Sequence, residues 1–306
     1  MPSSDLRTVG RSSLAALGLF GLVASAGCGL PYPDLPTDGS PGTWSASFEH
    51  NEVLRSAIVY VPDELMEPAP MLLNFHGYGG TAPEFMADAD LRDVADDAGF
   101  ILVYPQGTRM EGSPHWNSAA PSEDNKSDAD DFGFVAQLID TVADAYDVDT
   151  DRVYAAGYSN GGMMAFGLAC YRGDLVAAVA SVSGALLDDI GVSCTPATPT
   201  SVLTMHGTAD TVLPYDGAEG MRSAQGVLDF WTDVNGITDA PLETSTNDGG
   251  ISVETLRYTG GTNGTEVLHH RVVGGGHVWF DLEVDETPTN QVLWQFLSRF
   301  ELDGAI

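Results

Sequence analysis

The sequence predicts an α/β fold, a mostly parallel central sheet covered by helices on both faces. Three observations predict it. Short apolar runs of strand length alternate along the chain with segments whose apolar residues recur at helical spacing. Several runs are apolar at nearly every position, as strands buried on both faces must be. Several also end in glycine, where a buried strand hands the chain to a loop.

The N-terminus is set aside first. Arg7 and Arg11 precede an uncharged stretch, residues 12–27, rich in Leu, Ala and Val. A basic start, an apolar middle and small residues before a processing point read as an export signal over residues 1–27, too short for a spanning helix. Ser25, Ala26 and Gly27, just before Cys28, also resemble a bacterial lipoprotein signal, with Ser25 where Leu is usual. That resemblance implies a lipid on Cys28 as the mature N-terminus. Plain secretion with an unmodified Cys28 is the alternative. Residues 28–43 are rich in Pro and Gly and read as a tether. No second linker of this kind follows, so residues 44–306 are expected to form one catalytic domain.

Within that domain, SAIVYV (Ser56 to Val61) reads as a strand, and MLLNFHG (Met71 to Gly77) as a buried strand running into a loop. Leu91, Val94, Ala95 and Ala98 then fall at helical spacing, with Asp and Arg among the other positions. Phe100 to Pro105 is the next strand, and Val135, Leu138, Ile139, Val142 and Tyr146 trace the next helix face. RVYAAGY, ending at Tyr158, is a strand followed by a helix from Asn160; VAAVASVSG and SVLTMHG are two further strands. Val227, Phe230, Trp231 and Val234 mark a helix, VETLRY a strand, and Leu293, Phe296, Leu297 and Phe300 a last helix. Ligands of such sheets sit outside the carboxyl ends of the strands. Four loops leaving those ends are unusual: after His76, at Ser159, after His206 and around His277. No long apolar insertion interrupts the core strands, so no large lid is expected.

Charge excludes several functions. The chain carries 44 acidic against 12 basic residues, a formal charge of −32, and its one lysine is Lys126. Nucleic-acid binding depends on Lys and Arg near phosphates, so no nucleic-acid partner is expected. Anionic substrates and anionic membrane surfaces are disfavoured for the same reason. High salt, which screens mutual repulsion, is a habitat that suits such a surface. Past Cys28, Cys170 and Cys194 remain, and in an exported chain they suggest a single disulfide. Closing that loop is worth roughly 3 kcal/mol on chain-entropy grounds.

The chemistry centres on Gly157-Tyr158-Ser159-Asn160-Gly161, a G-x-S-x-G segment between a strand and a helix, the form of a nucleophile elbow. A hydroxyl near its free pKa is a poor nucleophile, so Ser159 needs a base, and the base needs an orienting carboxylate. The expected chain order is Ser, acid, His. Asp210 in MHGTADTVLPY and His277 in the Gly-rich VVGGGHVWF meet it, each just past a strand. His76 and His206 compete as bases, but each precedes a Gly at a strand end and reads as a structural imidazole. Asp188 and Asp281 are spare acids: Asp188 lacks the strand-end loop, and Asp281 is out of order. Two backbone N–H groups are expected to face a developing oxyanion, that of Asn160 and that of Tyr78, with Gly77 the alternative to Tyr78. Tyr78, Trp116 and Trp279 are candidates for a substrate cleft, against packing in core or loop. Tyr215 reads as loop packing. No H-E-x-x-H, no spaced Cys/His cluster and no G-x-x-x-x-G-K is found in the candidate segments, so no metal or cofactor is expected.

NFHGYGG, DDFGFVAQLID, YAAGYSNGGMMAFGLAC, HGTADTVLPY and GGGHVWF occur in this order between about Ser56 and Phe300. With them the chain resembles the polyhydroxybutyrate depolymerase and feruloyl-esterase-like family of α/β-hydrolases, including bacterial lipoprotein esterases related to it. The resemblance implies the α/β-hydrolase fold, a triad of Ser159, Asp210 and His277, a bridge between Cys170 and Cys194, and Trp279 at the cleft. The family usually has Pro-Gly after the equivalent of Trp279; here Phe280 and Asp281 follow.

The expected activity is that of an exported serine carboxylic-ester hydrolase on uncharged esters: feruloyl or acetyl esters of polysaccharide, or short hydroxyalkanoate oligoesters. A serine peptidase of the same fold would use identical chemistry. A non-catalytic cell-surface carbohydrate-binding scaffold would have no need of Ser, Asp, His and the loop glycines together.

Overall fold

A computed structural model describes residues 30, 32–119, 127–187, 194 and 196–306. The export signal, Cys28 and Asp188 lie outside the described residues. Ten strands join in one sheet: β1 (Gly42–His50), β2 (Val53–Val61), β3 (Ala69–Phe75), β4 (Ile101–Pro105), β5 (Val148–Tyr158), β6 (Ala178–Val182), β7 (Ser201–Gly207), β8 (Leu242–Asp248), β9 (Ile251–Tyr258) and β10 (Val267–Val272). Their spatial order is β1-β2-β4-β3-β5-β6-β7-β10-β9-β8. From β4 to β10 every neighbouring pair is parallel. The pairs outside that block are antiparallel, β1 and β2 at one end and β9 and β8 at the other.

Every residue of β3 and of β7 is buried. Their largely apolar character follows from cover on both sides, with Asn74 in β3 and Ser201, Thr204 and His206 in β7 buried as well. Met71, Leu73 and Phe75 face one core cluster, and Leu72, between them, faces the other. Helices α3 (Asp131–Ala143), α4 (Asn160–Tyr171) and α5 (Ala224–Asn235) pack into the first cluster through residues such as Leu138, Phe166 and Trp231. Helices α1 (Ala82–Asp88), α2 (Arg92–Ala98) and α6 (Thr289–Leu297) pack into the second through Phe85, Ala95 and Leu293. This is the α/β-hydrolase architecture that the sequence predicts, extended by antiparallel edges.

Within the large sheet β1, β8 and β10, and among the helices α1, are additions to the expected elements. Three short two-stranded sheets within 108–115, 283–288 and 300–305 are further ones. The last takes Phe300, which the helical spacing assigns to the final helix but which lies past its end at Leu297. In β8 the residues are largely exposed and polar, since this edge strand has no cover to match. In β10, His269 and His270 are buried, with hydroxyls at 2.5 Å (Thr204) and 2.9 Å (Thr255), and Nε2 of His270 has no hydrogen-bond partner among the described residues.

The described part of residues 28–43 lies along the domain. The Ser45 amide donates to the Pro33 carbonyl at 2.6 Å, and the Leu35 amide to the Ser45 carbonyl at 2.9 Å. The Trp44 indole and the Tyr146 hydroxyl both donate to the Ser40 carbonyl, at 3.1 and 2.9 Å. Cys170, near the end of α4, is bonded to Cys194 with their Cα atoms 5.4 Å apart.

Candidate active site

β5 ends at Tyr158 and α4 begins at Asn160, so Ser159 alone turns the chain. It does so at φ 54° and ψ −118°, a conformation that costs about 1–3 kcal/mol for a residue with a side chain. Packing keeps the turn. A Cβ on Gly157 would run into the backbone of Gly161, and one on Gly161 into the Phe75 carbonyl. The Ser159 amide donates to the Val182 carbonyl at 2.9 Å, and its carbonyl accepts from the Met163 amide at 3.0 Å.

The Ser159 hydroxyl lies 2.9 Å from Nε2 of His277, and Nδ1 of His277 lies 2.7 Å from Oδ2 of Asp210. An ionised carboxylate only accepts, so Nδ1 carries the proton and Nε2 is left to accept from the hydroxyl. Oδ1 of Asp210 accepts from the amides of Val212 and Leu213 at 2.8 and 2.9 Å. Burial pushes the Asp210 carboxyl up, but the His277 hydrogen bond and these two amides outweigh it and hold it below the ordinary range. The His277 loop is pinned from below: the Tyr158 hydroxyl donates to the His277 carbonyl and the Ser183 hydroxyl to the Val278 carbonyl, both at 2.9 Å. Such a run of groups can take a proton from Ser159 as its oxygen attacks an acyl carbon.

The other flank is backbone. Asn160 opens α4, so its amide has no intrahelical acceptor. Its side chain accepts from the Trp116 amide at 2.8 Å and donates to the Trp116 carbonyl at 3.0 Å. The loop after β3 is tied to the same segment, for the Gly79 amide donates to the Pro114 carbonyl at 2.8 Å. Among the described residues, no acceptor takes a hydrogen bond from the amide of Gly77 or Tyr78. Any side chain at Gly77 would press on the Tyr158 ring, 2.9 Å from where its Cβ would stand. His76 beneath is buried; Nδ1 donates to the Gly77 carbonyl at 2.7 Å, and Nε2 accepts from the Gly107 amide at 3.0 Å.

Ser159, Asp210 and His277 are thus together; Asn160 follows the serine at the start of α4, and Tyr78 follows Gly77, where a Cβ would stand 3.4 Å from that of Ser159. Trp116 is only 3% exposed, its indole N–H on the His76 carbonyl at 2.9 Å, so it underpins the loop rather than lining open cleft. Tyr78 is exposed. Trp279 is half-buried, edge-on to Phe85, with its N–H on Asn290. Asp281 is exposed. His206 sits on the acid rather than on the hydroxyl: Nε2 is 2.8 Å from the Leu213 carbonyl and 3.3 Å from Asp210 Oδ2. Sequence reasoning does not reach Tyr158, Ser183 or the clamping role of the Asn160 side chain. Only the positions of Tyr158 and Asn160 inside the G-x-S-x-G segment hint at it.

Residues 54–269 match the family model described as Esterase PHB depolymerase, a span that holds Ser159 and Asp210 and stops short of His277. NocK of Nocardia uniformis subsp. tsuyamanensis is 33% identical over 234 residues, 70% of this chain and 67% of that protein. Feruloyl esterase B of Piromyces equi is 28% identical over 261 residues, which are 81% of this chain but only 46% of that protein. Among solved structures, an acetyl xylan esterase from Aspergillus awamori superposes with a TM-score of 0.60 at 16% identity, covering 83% of this chain and 98% of that one. At that identity the likeness is one of fold.

Proposed function

We propose that this chain, which belongs to the Esterase PHB depolymerase family of ester hydrolases, cleaves uncharged carboxylic esters through an acyl-enzyme on Ser159. The observation that carries the reading is the unbroken hydrogen-bonded run from Ser159 through His277 to the buried Asp210. In this mechanism His277 Nε2 takes the hydroxyl proton as Ser159 Oγ bonds to the ester carbon. Asp210 keeps the imidazole in the tautomer that can accept, and stabilises the imidazolium. The amides of Asn160 and Tyr78 receive the negative oxygen. His277 then protonates the leaving alcohol, and water repeats the sequence on the acyl-enzyme. Losing one oxyanion donor typically costs about 10²–10³ in turnover.

The substrate class we favour is an aryl or acetyl ester carried on a polysaccharide, ahead of short hydroxyalkanoate oligoesters. Sequence relatives named feruloyl esterase and acetylxylan esterase support it. So does the apolar character of the exposed residues next to the reacting groups, Tyr78, Val212 and Val278. The formal charge of −32 disfavours carboxylate-bearing substrates. We place the enzyme outside the cytoplasm, with Cys28 its lipid anchor, a cell-envelope position that suits a substrate met outside the cell.

The test is hydrolysis of p-nitrophenyl acetate and butyrate, methyl ferulate, acetylated xylan and hydroxybutyrate oligomers, at low and molar salt, by the wild type and by Ser159→Ala. The expected result is turnover of neutral esters that falls by on the order of 10⁴ or more in the variant, with circular dichroism unchanged. Ester turnover that survives the substitution sinks the serine mechanism. Cleavage of peptides but not of any ester moves the chain to the peptidase reading.

A further inference from the structure

We propose that His206 is a positioning residue for this reaction, holding the acid loop closed through the Leu213 carbonyl and setting an N–H beside the Asp210 oxygen that His277 uses. The inference rests on the ester-hydrolase reading above. His206 lies one residue before the end of β7, and its side chain is only 8% exposed. Its Nε2 is 2.8 Å from the Leu213 carbonyl. A carbonyl can only accept, so Nε2 bears the hydrogen. The same nitrogen is 3.3 Å from Asp210 Oδ2, the oxygen that accepts from His277 Nδ1 at 2.7 Å.

Leu213 is therefore gripped at both ends, its amide on Asp210 Oδ1 at 2.9 Å and its carbonyl on His206. The loop from Thr208 to Leu213 cannot swing Asp210 away from His277 without breaking one of these bonds. The base loop is attached to the same unit: the Ala209 amide donates to the Gly275 carbonyl at 2.9 Å, and the Gly274 amide to Thr208 Oγ1 at 2.8 Å. A side chain at Gly207 would run into the Gly275 carbonyl. From β7, it is His206 that reaches into this junction with a side-chain donor.

The charged and titratable groups around it are Asp210, His277, Tyr215, His269, Arg271 and Glu254. Tyr215 presents its ring edge-on to His206 at 5.7 Å and bonds His269 at 2.8 Å, while Arg271 lies over the Tyr215 ring and pairs with Glu254. Burial pushes the His206 imidazole below its ordinary range, so at neutral pH it contributes an N–H rather than a charge. The positive end of the Nε2–H dipole lies beside Oδ2 and offsets part of the charge on that oxygen. Its loss makes Asp210 a stronger acceptor toward His277, which then holds its proton to higher pH.

His206→Leu, which has no donor, and His206→Gln, whose amide nitrogen stands near the place of Nε2, separate the hydrogen bond from the volume. His206→Leu is expected to lower kcat about 10- to 100-fold, the range of a buried acceptor left without its donor, with KM little changed. The acid limb of its kcat/KM profile is expected to move to higher pH, and His206→Gln to recover most of both effects. An unchanged kcat and limb in His206→Leu overturns the proposal, and so does a Gln variant as impaired as the Leu one. Should His206→Leu not fold, His206→Asn takes its place, its donor too short to reach Leu213. A readout free of turnover is the proton resonance of the His277–Asp210 hydrogen bond, expected to shift in the Leu variant and return in the Gln variant; no shift overturns the proposal. Wild-type ester turnover that is lost in Ser159→Ala upholds the parent reading whatever the His206 variants do.

Discussion

The two flanks of Ser159 are built in opposite ways. On the His277 flank the working groups are side chains, and they are held through backbone: two amides fix Asp210, and the hydroxyls of Tyr158 and Ser183 hold the base loop by the carbonyls of His277 and Val278. On the Asn160 flank the working groups in our reading are backbone amides, and side chains hold them: Asn160 grips both ends of the Trp116 residue, and Trp116 grips the His76 carbonyl. A side chain can be replaced atom by atom with the fold kept, whereas a backbone amide can be moved only by loosening its supports. Damage on the first flank should therefore appear in turnover at constant stability, and damage on the second in stability first.

Asp210→Asn is the strongest test of the first half. The amide keeps the shape but offers an N–H where the carboxylate accepts, which favours the wrong imidazole tautomer. Turnover is expected to fall by on the order of 10⁴, with the unfolding midpoint in urea moved little. A variant that loses only a few-fold would mean that His277 is oriented by its loop and not by Asp210.

Arg55→Leu tests the second half. Arg55 and Asp131 form a buried pair at 2.6 Å, Arg55 also lying over the Phe134 ring, and Oδ2 of Asp131 accepts the Asn117 amide at 2.8 Å. Asn117 follows Trp116, so the pair braces the segment that braces Asn160. Removing the guanidinium strands a buried carboxylate, and unfolding in urea is expected to show a loss of roughly 3–5 kcal/mol. The double variant with Asp131→Leu should recover much of it. If the single variant is as stable as wild type, this flank has no keystone in that pair.

The same asymmetry decides what could be read in the sequence. Ser159, Asp210 and His277 were legible because each must stand just past a strand, in a fixed chain order, among glycines that the turns demand. The buried strands were legible because cover on both faces makes them mostly apolar, as in β3, where Asn74 is the exception. Edge strands were not, since β8 is largely exposed and need not be apolar. Nor was β10, where the buried His269 and His270 meet hydroxyls on neighbouring strands that no local pattern reveals. Trp116 reads as a candidate for the cleft because its neighbours in SPHWNS are polar, yet its ring packs on Phe75 and His76, distant in sequence. The supports of the backbone flank are all such long-range pairs.

Acid should weaken that flank by a known sign. Burial holds His76 down to about 4, and both ring nitrogens are already committed, Nδ1 as donor and Nε2 as acceptor of the Gly107 amide. Protonating Nε2 would set a donor against a donor. The unfolded chain binds this proton near 6.5, so between about 6.5 and 4 it holds more protons than the folded one, and stability falls as pH is lowered. His76 alone accounts for roughly 3 kcal/mol across that window, all of it present above the upper value. Urea unfolding at steps from pH 7.5 to 4.5 should give that slope, and His76→Asn should flatten it. A slope that the substitution leaves untouched would assign the acid lability to His269 and His270, which burial also depresses.

Asn160→Ala carries the smallest effect and bears most directly on the comparison. It leaves the Asn160 amide in place and removes only the two hydrogen bonds from its side chain to the Trp116 backbone. Each such bond is worth about 1 kcal/mol net, so a modest loss of stability is expected whatever the amide does in catalysis. What discriminates is kcat. If the amide owes its aim to the clamp, kcat should fall about 10-fold with KM nearly constant, because a misaimed amide stabilises the transition state less and the bound ester hardly at all. If α4 alone aims the amide, stability will drop and kcat will not. The second outcome would leave the Asn160 flank a scaffold in the plain sense, its donors set by the strained turn at Ser159 and the glycines that permit it. The first would extend the reach of that flank to Trp116 and the pair beneath it.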